Sequence, residues 1–176
     1  WTKTGMNRVT LEREDATAVT AISCDAASRN ALIGSEGGTA YLVSLTSHRV
    51  VSTFECGEEN SVESVVLASL HAPYAVIGTL DGVIRVYDVD THRLISEKVH
   101  SEDQLGVSRV RWVAGEYVLV SFGMDSRVKV WDLRAKDCVK DLGGCFDGLV
   151  DGDVHWASKT AVAGSEDHTL SVYRLD

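Results

Sequence analysis

Acidic side chains are the residues of this chain most suited to binding chemistry, because they outnumber basic ones and cluster in predicted loops. The sequence holds 26 Asp and Glu against 17 Lys and Arg, a formal net charge of −9. The densest groups are Glu55 to Glu63 and Glu102-Asp103. Clustered carboxylates attract basic partners and repel nucleic acid. The sequence therefore predicts a basic protein segment as partner, with no direct nucleic-acid contact.

Residues that could perform catalysis or bind metal are few. Asp153 with His155, and Asp167 with His168, have the side-chain types of an acid–base pair, but no serine or cysteine nucleophile motif accompanies them. The four cysteines show neither a CxxC spacing nor histidines at zinc-ligand intervals, and no glycine-rich phosphate loop is present. We predict reduced thiols and a non-enzymatic protein without metal or cofactor.

A repeated pattern defines the elements that must position these side chains. Its copies begin 44 or 42 residues apart, and Trp1-Thr2 fits the end of a further copy, so the chain is expected to begin inside a repeat. The copies are Thr39–Ser44, Val83–Asp88, Arg127–Asp132 and Thr169–Arg174. Alternating apolar strands at a period of about 40 to 45 residues are typical of propeller blades, each a four-stranded antiparallel sheet.

The chain resembles the WD-repeat family. Trp131-Asp132 and Tyr87-Asp88 carry the resemblance, together with the tight turns that lie six residues before each aromatic, at Asp81-Gly82, Asp125-Ser126 and Asp167-His168. The resemblance implies an all-β propeller with strands a to d in each blade. A 44% apolar content and a single proline agree with a packed core.

We expect one propeller portion over residues 1–176, with about four blades. The predicted blades are 18–55, 62–99, 107–142 and a final blade, 150–176, that lacks strand d. Residues 1–12 are read as the end of a preceding blade, with an orphan strand d near Asn7 to Glu12. No signal peptide and no apolar run near about 18 residues are found, which predicts no membrane association and a cytoplasmic protein, with the nucleus as a further compartment.

The blade count leaves three assemblies open. WD propellers commonly close with about seven or eight blades, and a half ring would leave bare apolar flanks. Two copies could close an eight-bladed ring as a homodimer that exchanges the N-terminal strand. Alternatively, the chain pairs with a missing N-terminal half. A closed four-bladed monomer is the third possibility.

Charges sort by rim, because the d–a and b–c loops of a propeller share one rim and the a–b and c–d loops share the other. The first rim is predicted to be an acidic partner-binding surface, opposed almost only by Arg13, while the second is mildly basic. The predicted binding residues are Glu12, Glu14, Asp15, Glu36, Glu55, Glu58, Glu59, Glu102, Asp103, Asp147, Asp151 and Glu166.

A buried polar network is the remaining expectation from the family. The resemblance implies that a turn Asp, a His from the d–a loop, a strand b Ser and a strand c Trp join in each complete blade. Only the third blade supplies all four, as His100, Ser121, Asp125 and Trp131. Their predicted role is structural, because buried polar groups must satisfy one another.

Three stretches of the sequence narrow the resemblance to one group of WD-repeat proteins. Asn60-Ser61-Val62-Glu63-Ser64, Asp81-Gly82 and Arg111-Trp112-Val113-Ala114-Gly115 are similar to the C-terminal half of the angio-associated migratory cell protein family. That family includes a ribosome-assembly chaperone of a large-subunit ribosomal protein, which implies a ribosomal protein segment as partner on the acidic rim. The alternative is a general WD-repeat scaffold or substrate receptor in signalling or ubiquitin ligation.

Overall fold

Four antiparallel β-sheets make up the structure. The computed structural model describes residue 10 and residues 17–69, 73–113 and 117–176. Within these ranges the chain forms 15 strands and one short 3-10 helix, which confirms the prediction of an all-β propeller fold. Strands that are neighbours in sequence pair with each other, giving three sheets of four strands and one of three. We call these sheets blades 1 to 4.

The strands of each blade are named a to d in chain order. Blade 1 contains β1 (Val19–Cys24), β2 (Asn30–Ser35), β3 (Thr39–Ser44) and β4 (Arg49–Glu55), and blade 2 contains β5 (Val62–Ser69), β6 (Pro73–Thr79), β7 (Val83–Asp88) and β8 (Leu94–Val99). Blade 3 contains β9 (Arg109–Trp112), β10 (Val118–Phe122), β11 (Val128–Asp132) and β12 (Cys138–Leu142). Blade 4 contains β13 (Leu149–His155), β14 (Thr160–Ser165) and β15 (Leu170–Arg174), with the 3-10 helix at Trp156–Ser158.

Apolar side chains hold adjacent blades together. Leu32, Ala40 and Leu42 of blade 1 pack against Val62 and Val65 of blade 2. Equivalent clusters join blade 2 to blade 3 and blade 3 to blade 4. Full burial of each such valine or leucine contributes about 1.5–3 kcal/mol. We call the face of a blade that meets the next blade its trailing face, and the opposite face its leading face.

The same backbone irregularities recur in successive blades. A register shift interrupts the pairing of strands a and b at Val19/Ala21, Val62/Ser64 and Leu149/Asp151. The b–c turns each contain a residue with positive φ, which is Gly38 or Gly82 in blades 1 and 2 but Ser126 or His168 in blades 3 and 4. Because bulges increase local twist, we expect blades 1, 2 and 4 to twist alike where strand a meets strand b.

Among the described blades, none packs on the trailing face of blade 4. Val162, Leu170 and Val172 lie there and are 36%, 73% and 64% exposed. Blade 4 therefore does not pack on blade 1, and the predicted alternative of a closed four-bladed monomer is wrong. The predicted orphan strand near Asn7 to Glu12 lies outside the described residues, apart from Thr10.

Strand bounds differ from the predicted blades at two places. Strand a of blade 3 begins at Arg109 rather than Val107, because the Val107 N–H donates 3.1 Å to the carbonyl of Thr79 in blade 2. Strand a of blade 4 begins at Leu149 and ends at His155, whereas the sequence indicated a strand near Asp153 to Ala157. Its polar and glycine residues Asp151, Gly152 and Asp153 masked the strand in the sequence.

Candidate functional site

Loops of the two kinds gather at opposite ends of the blades. The d–a and b–c loops contact each other, as the N–H groups of Cys56 and His100 donate 2.8 Å to the carbonyls of Gly38 and Gly82. The a–b and c–d loops do the same at the other end, where Leu45 N–H donates 2.8 Å to the carbonyl of Arg29. Each rim is therefore a continuous surface made from many separate segments of the chain.

Carboxylates line the rim of d–a and b–c loops, which we call the acidic rim. Nine of the predicted binding residues are described, and all nine are exposed. Apart from Asp151, these carboxylates form no ion pair with any described residue. They are Glu36, Glu55, Glu58, Glu59, Glu102, Asp103, Asp147 and Glu166. Glu12, Glu14 and Asp15 lie outside the described residues.

A hollow of about 220 Å³ opens on the acidic rim at blade 1. Its charged lining residues are Glu55 and Glu58, and its other lining residues are Gly37, Gly38, Thr39 and Gly57. Gly38 has φ +84°, and a Cβ placed there would overlap the Gly57 carbonyl. The close approach of these two turns thus requires glycine and leaves a shallow floor without side chains beside two carboxylates.

Arginines on the strands, which the loop-based sorting of charges missed, neutralise part of this rim. Arg85 lies 2.9 Å from Asp81, Arg109 lies 2.6 Å from Asp151, and Arg127 lies 2.8 Å from Asp141. Arginine stems are long enough to carry a guanidinium from a strand to the rim. The expectation that Arg13 stands almost alone against the carboxylates is therefore corrected, and Asp151 is a paired residue.

Two of these arginines form a ladder between blades 3 and 4. Arg109 pairs with Asp151, and Arg111 pairs with Asp153 at 2.9 Å. Each partner lies 42 residues further along the chain, so both pairs join equivalent positions in adjacent strands a. The hydrogen bond from Arg109 lowers the pKa of Asp151, and that from Arg111 lowers the pKa of Asp153. The 42-residue spacing of opposite charges was the available sequence signal for this ladder.

The structure brings the four predicted network residues together inside blade 3. His100 Nδ1 lies 2.7 Å from Ser121 Oγ, and His100 Nε2 lies 2.9 Å from Asp125 Oδ1. Trp131 Nε1 donates to Ser121 Oγ at 2.7 Å. His100 and Ser121 are fully buried. The network ties the end of strand d in blade 2 to strands b and c of blade 3.

A cysteine, Cys56, occupies the histidine position of this network in blade 2, which the sequence analysis did not recognise. Cys56 is buried beside Ile77, and burial raises the pKa of its thiol to about 11. Cys145 Sγ lies 3.2 Å from the Tyr173 hydroxyl, which takes the position of Trp131 in blade 4. All four cysteines are free thiols. Only blade 3 therefore uses the His–Ser–Trp chain, since apolar contacts replace it in blade 2.

The opposite rim, predicted to be mildly basic, carries charges of both signs. Arg134 lies 2.6 Å from Asp132, and its hydrogen bond lowers the pKa of that carboxyl to about 2. A groove of about 350 Å³ runs between blades 1 and 2 at this end. It is lined by Asp25, Ala26, Ala27, Arg29, Asn30, Leu42, Leu67, Ala68, Pro73, Val89 and Asp90.

The two pairs with acid–base side-chain types do not act as pairs. Asp153 bonds to Arg111, while His155 Nδ1 lies 2.8 Å from Ser158 Oγ. Asp167 accepts hydrogen bonds from the backbone and hydroxyl of Thr169, which bring its pKa to about 2. Across residue 10 and residues 17–69, 73–113 and 117–176, no group of three or more His, Cys, Asp or Glu could hold a metal ion. Over the same ranges no helix has the length and apolar character needed to cross a membrane.

Comparison with known proteins places the chain among propeller proteins. The profile of the family described as "WD domain, G-beta repeat" matches residues 94–132, which run from β8 of blade 2 to β11 of blade 3. This matched repeat contains the whole His100 network. The angio-associated migratory cell protein of Homo sapiens is 31% identical over 169 residues, covering 86% of this chain and 38% of that protein.

One further curated protein and one solved structure are also similar to the chain. The probable coatomer subunit beta' of Schizosaccharomyces pombe is 28% identical over 129 residues, covering 72% of this chain and 16% of that subunit. The crystal structure of the computationally designed Ika4 protein has a TM-score of 0.79 at 18% identity, covering 97% of this chain and all of that one. The chain spans 35% to 38% of the length of the angio-associated migratory cell proteins it matches.

Proposed function

The chain belongs to the WD-repeat family, and we propose that it is a non-enzymatic protein-binding module whose acidic rim binds a basic segment of another protein. Its matched relatives support a protein-interaction or scaffold role at the coarser level. The finer assignment, to a basic segment, depends on the charges of the rim. The partner makes contacts along several loops, because no single blade holds all the carboxylates.

The observation that carries this proposal is the set of eight exposed carboxylates on the acidic rim that have no ion pair with described residues. Salt bridges neutralise the carboxylates that serve the fold, such as Asp81 and Asp151. Unpaired carboxylates instead leave a negative potential that steers a positive ligand and raises its association rate. The hollow at Glu55 and Glu58 has room for a lysine or arginine head group beside two carboxylates.

The class of partner that we propose is a newly made large-subunit ribosomal protein, with this module acting as a ribosome-assembly chaperone in the cytoplasm and the nucleus. What suggests this choice is the similarity of Asn60–Ser64 and Arg111–Gly115 to a family that includes such a chaperone, together with the charge of the rim. Lysines and arginines of the partner would be masked by the rim until they meet ribosomal RNA. Each exposed ion pair contributes only about 0.2–1 kcal/mol, so several must form together.

A charge-reversal experiment tests this function. We expect Glu55→Lys with Glu58→Lys to weaken binding of a Lys- and Arg-rich ribosomal protein peptide by about tenfold in calorimetry at low salt, because two attractions become repulsions. The matched control is Asp90→Lys with Asp137→Lys, which changes net charge equally on the opposite rim. Equal weakening by both variants would mean that net charge alone matters, and unchanged binding by the first variant contradicts the proposal.

A general scaffold or substrate receptor is the second candidate, favoured by the groove between blades 1 and 2. Leu42, Leu67 and Val89 give that groove an apolar lining. Peptide binding there depends on apolar contact, so it resists added salt, whereas salt weakens attraction between exposed charges and shortens its range to about 8–10 Å near physiological ionic strength. A peptide that remains bound from about 50 to 300 mM salt would therefore favour the groove over the acidic rim.

A further inference from the structure

We propose that the partner segment on the acidic rim carries large apolar side chains between its basic ones, and that these apolar side chains pack on Leu80, Leu105 and Phe146. Together with Met124, we call these residues the apolar strip. The inference rests on the proposed function, because it concerns the same rim, and it adds a contact that charge does not supply. The partner is therefore a basic segment with apolar side chains at defined places, rather than any polycation.

Three large apolar side chains are exposed in loops of the acidic rim. Leu80 lies in the b–c turn of blade 2 and is 49% exposed, while Leu105 in the following d–a loop is 42% exposed. Phe146 lies in the d–a loop between blades 3 and 4 and is 97% exposed. Each of these loops joins strands that the structure describes, so the ends of the blade series do not cause this exposure. Contiguous apolar residues with polar residues around them are typical of a protein-binding surface.

Contacts between loops make the apolar strip continuous at its first end. Leu80 Cδ1 lies 3.3 Å from the position that a Cβ on Gly106 would take, so Leu80 packs beside the loop of Leu105. The N–H of Met124 donates 2.9 Å to the carbonyl of the same Gly106. The b–c turns of blades 2 and 3 therefore meet at one short segment of chain, which places Leu80, Leu105 and Met124 near each other on the rim.

Met124 continues the apolar strip toward blade 4. A Cβ on Gly148 would lie 2.7 Å from Met124 Cε, so this side chain covers the glycine. Phe146 precedes Gly148 by two residues, and its N–H donates 3.1 Å to Asp167 Oδ2. This bond fastens the loop of Phe146 to the b–c turn of blade 4. The backbone of Phe146 is thus held at a fixed place on the rim, while its ring is almost wholly exposed.

One position of the b–c turns gives the order of side chains along the rim. The N–H at this position donates 2.9 or 3.0 Å to a carbonyl just ahead of strand a in each of the four blades. Equivalent backbone bonds place the four side chains at equivalent points of successive blades. From blade 1 to blade 4 they are Glu36, Leu80, Met124 and Glu166. The rim therefore presents acidic, apolar, apolar and acidic side chains in that order.

Carboxylates beside the apolar strip decide what it binds. Asp147 directly follows Phe146, and two more carboxylates lie shortly before Leu105. These two are Glu102 and Asp103, and all three carboxylates are exposed without an ion pair among the described residues. An entirely apolar partner would remove water from these carboxylates without replacing it, which is costly. An entirely basic partner would leave the apolar strip in contact with water. A segment with both kinds of side chain satisfies both.

Two peptides of equal charge test the inference. In one, lysines and arginines flank two leucines, and in the other, serines replace the leucines. We expect the leucine peptide to bind the protein about tenfold more tightly in calorimetry, since burial of apolar side chains adds to the ion pairs. Leu80→Ser with Phe146→Ser should bring the leucine peptide to the affinity of the serine peptide and leave the serine peptide unchanged. Because both residues are exposed, these substitutions should have little effect on stability.

A third peptide tests the order of side chains. It has the composition of the leucine peptide, but both leucines stand at one end, where they would lie over Glu36 or Glu166. We expect it to bind more weakly than the leucine peptide, because its apolar side chains would cover carboxylates that need water or a cation. Equal affinity would show that composition alone matters and would overturn the order inferred from the b–c turns.

The matched control is Leu94→Ser with Ile95→Ser, which removes two half-exposed apolar side chains from β8 and should preserve the difference between the leucine and serine peptides. Equal binding of these two peptides to the unmodified protein would overturn this inference and leave the proposed function standing. Equal weakening of both peptides by Leu80→Ser with Phe146→Ser would overturn it as well. If neither peptide binds, the proposed function fails together with this inference.

Discussion

At the scale of single residues, the buried network of blade 3 has the largest consequence for stability. Ser121 Oγ is shared by His100 and Trp131, and His100 continues the chain of hydrogen bonds to Asp125. Removing one member leaves buried donors without acceptors, which costs more than the net value of one hydrogen bond. The hydroxyl of Ser121 is the most connected atom of this network.

We expect Ser121→Ala to lower the free energy of unfolding by about 1–3 kcal/mol, because Trp131 Nε1 and His100 Nδ1 both lose their partner in a water-free site. Chemical denaturation measures this change. Ser52→Ala is the control: Ser52 bonds to His92 at 3.1 Å, and the exposed His92 can bind water instead. Losses of equal size in both variants would count against the network.

The sequence identified these residues through the family pattern, but it missed the charged residues that pair with strand arginines. Sorting by loop placed Asp151 on the acidic rim with no account of Arg109, since a side chain's reach from a strand is not visible in a loop assignment. Likewise, the cysteines were judged by metal-ligand spacing alone. The alignment of Cys56 with His100 became evident from strand register.

At the scale of the element, small residues on one strand accommodate large ones on the next blade. Gly34 of β2 receives Val62 of β5, while at the junction of blades 3 and 4 the relation is reversed and Gly152 receives Phe122. A Cβ on Gly152 would overlap the Phe122 ring. The strand that carries the glycine therefore differs among the junctions.

We expect Gly34→Ala to destabilise the fold by about 1–3 kcal/mol through overpacking against Val62. Val62→Ala alone should also destabilise, by leaving a cavity in a fully buried site. The double variant should lose less than the sum of the two, because the added methyl occupies the space that Val62 vacates. Strictly additive losses in denaturant unfolding would show that the two residues are not coupled.

Strand positions were predictable where apolar residues run without a break and were not where charges enter a strand. Apolar residues run almost unbroken from Tyr74 to Gly78 and from Val118 to Phe122, and these stretches form β6 and β10. Strand β13 was misplaced because Asp151 and Asp153 look like loop residues. Their partners Arg109 and Arg111 lie on β9, a contact that only the packed blades reveal.

At the scale of the whole molecule, charge is distributed unevenly between the two rims. The unpaired carboxylates of the acidic rim repel one another, and the net charge of −9 adds to that repulsion. The ion pairs that Arg109 and Arg111 form with Asp151 and Asp153 oppose this repulsion, because they attract blade 3 to blade 4. Added salt screens both the repulsion and the attraction, and their balance decides whether salt stabilises or destabilises the fold.

We expect the thermal unfolding midpoint to rise when salt increases from about 10 to 150 mM, because unpaired carboxylates outnumber the paired ones on the acidic rim. The same increase should weaken binding of a basic peptide. Calorimetry measures both changes. A midpoint that falls with salt would indicate that the ion pairs between strands outweigh the repulsion along the rim.

The repeat arithmetic of the sequence predicted the sheet count, whereas the open or closed state of the ring needed the structure. Four copies of one pattern indicate about four blades, but spacing alone is compatible with a ring closed by four. The exposure of Leu170 and Val172 decides that point. No periodic pattern contains such information, because buried and exposed blade faces have the same residue types.

The matched repeat begins one strand before a blade does, and this offset affects how such chains can gain or lose blades. Residues 94–132 contribute strand d to one sheet and strands a to c to the next. Deleting this segment from a gene would bring β12 beside β7, and duplicating it would add one whole sheet. Either event leaves four strands in every sheet that it affects, so unequal recombination at repeat boundaries alters the number of blades without leaving a sheet that lacks a strand.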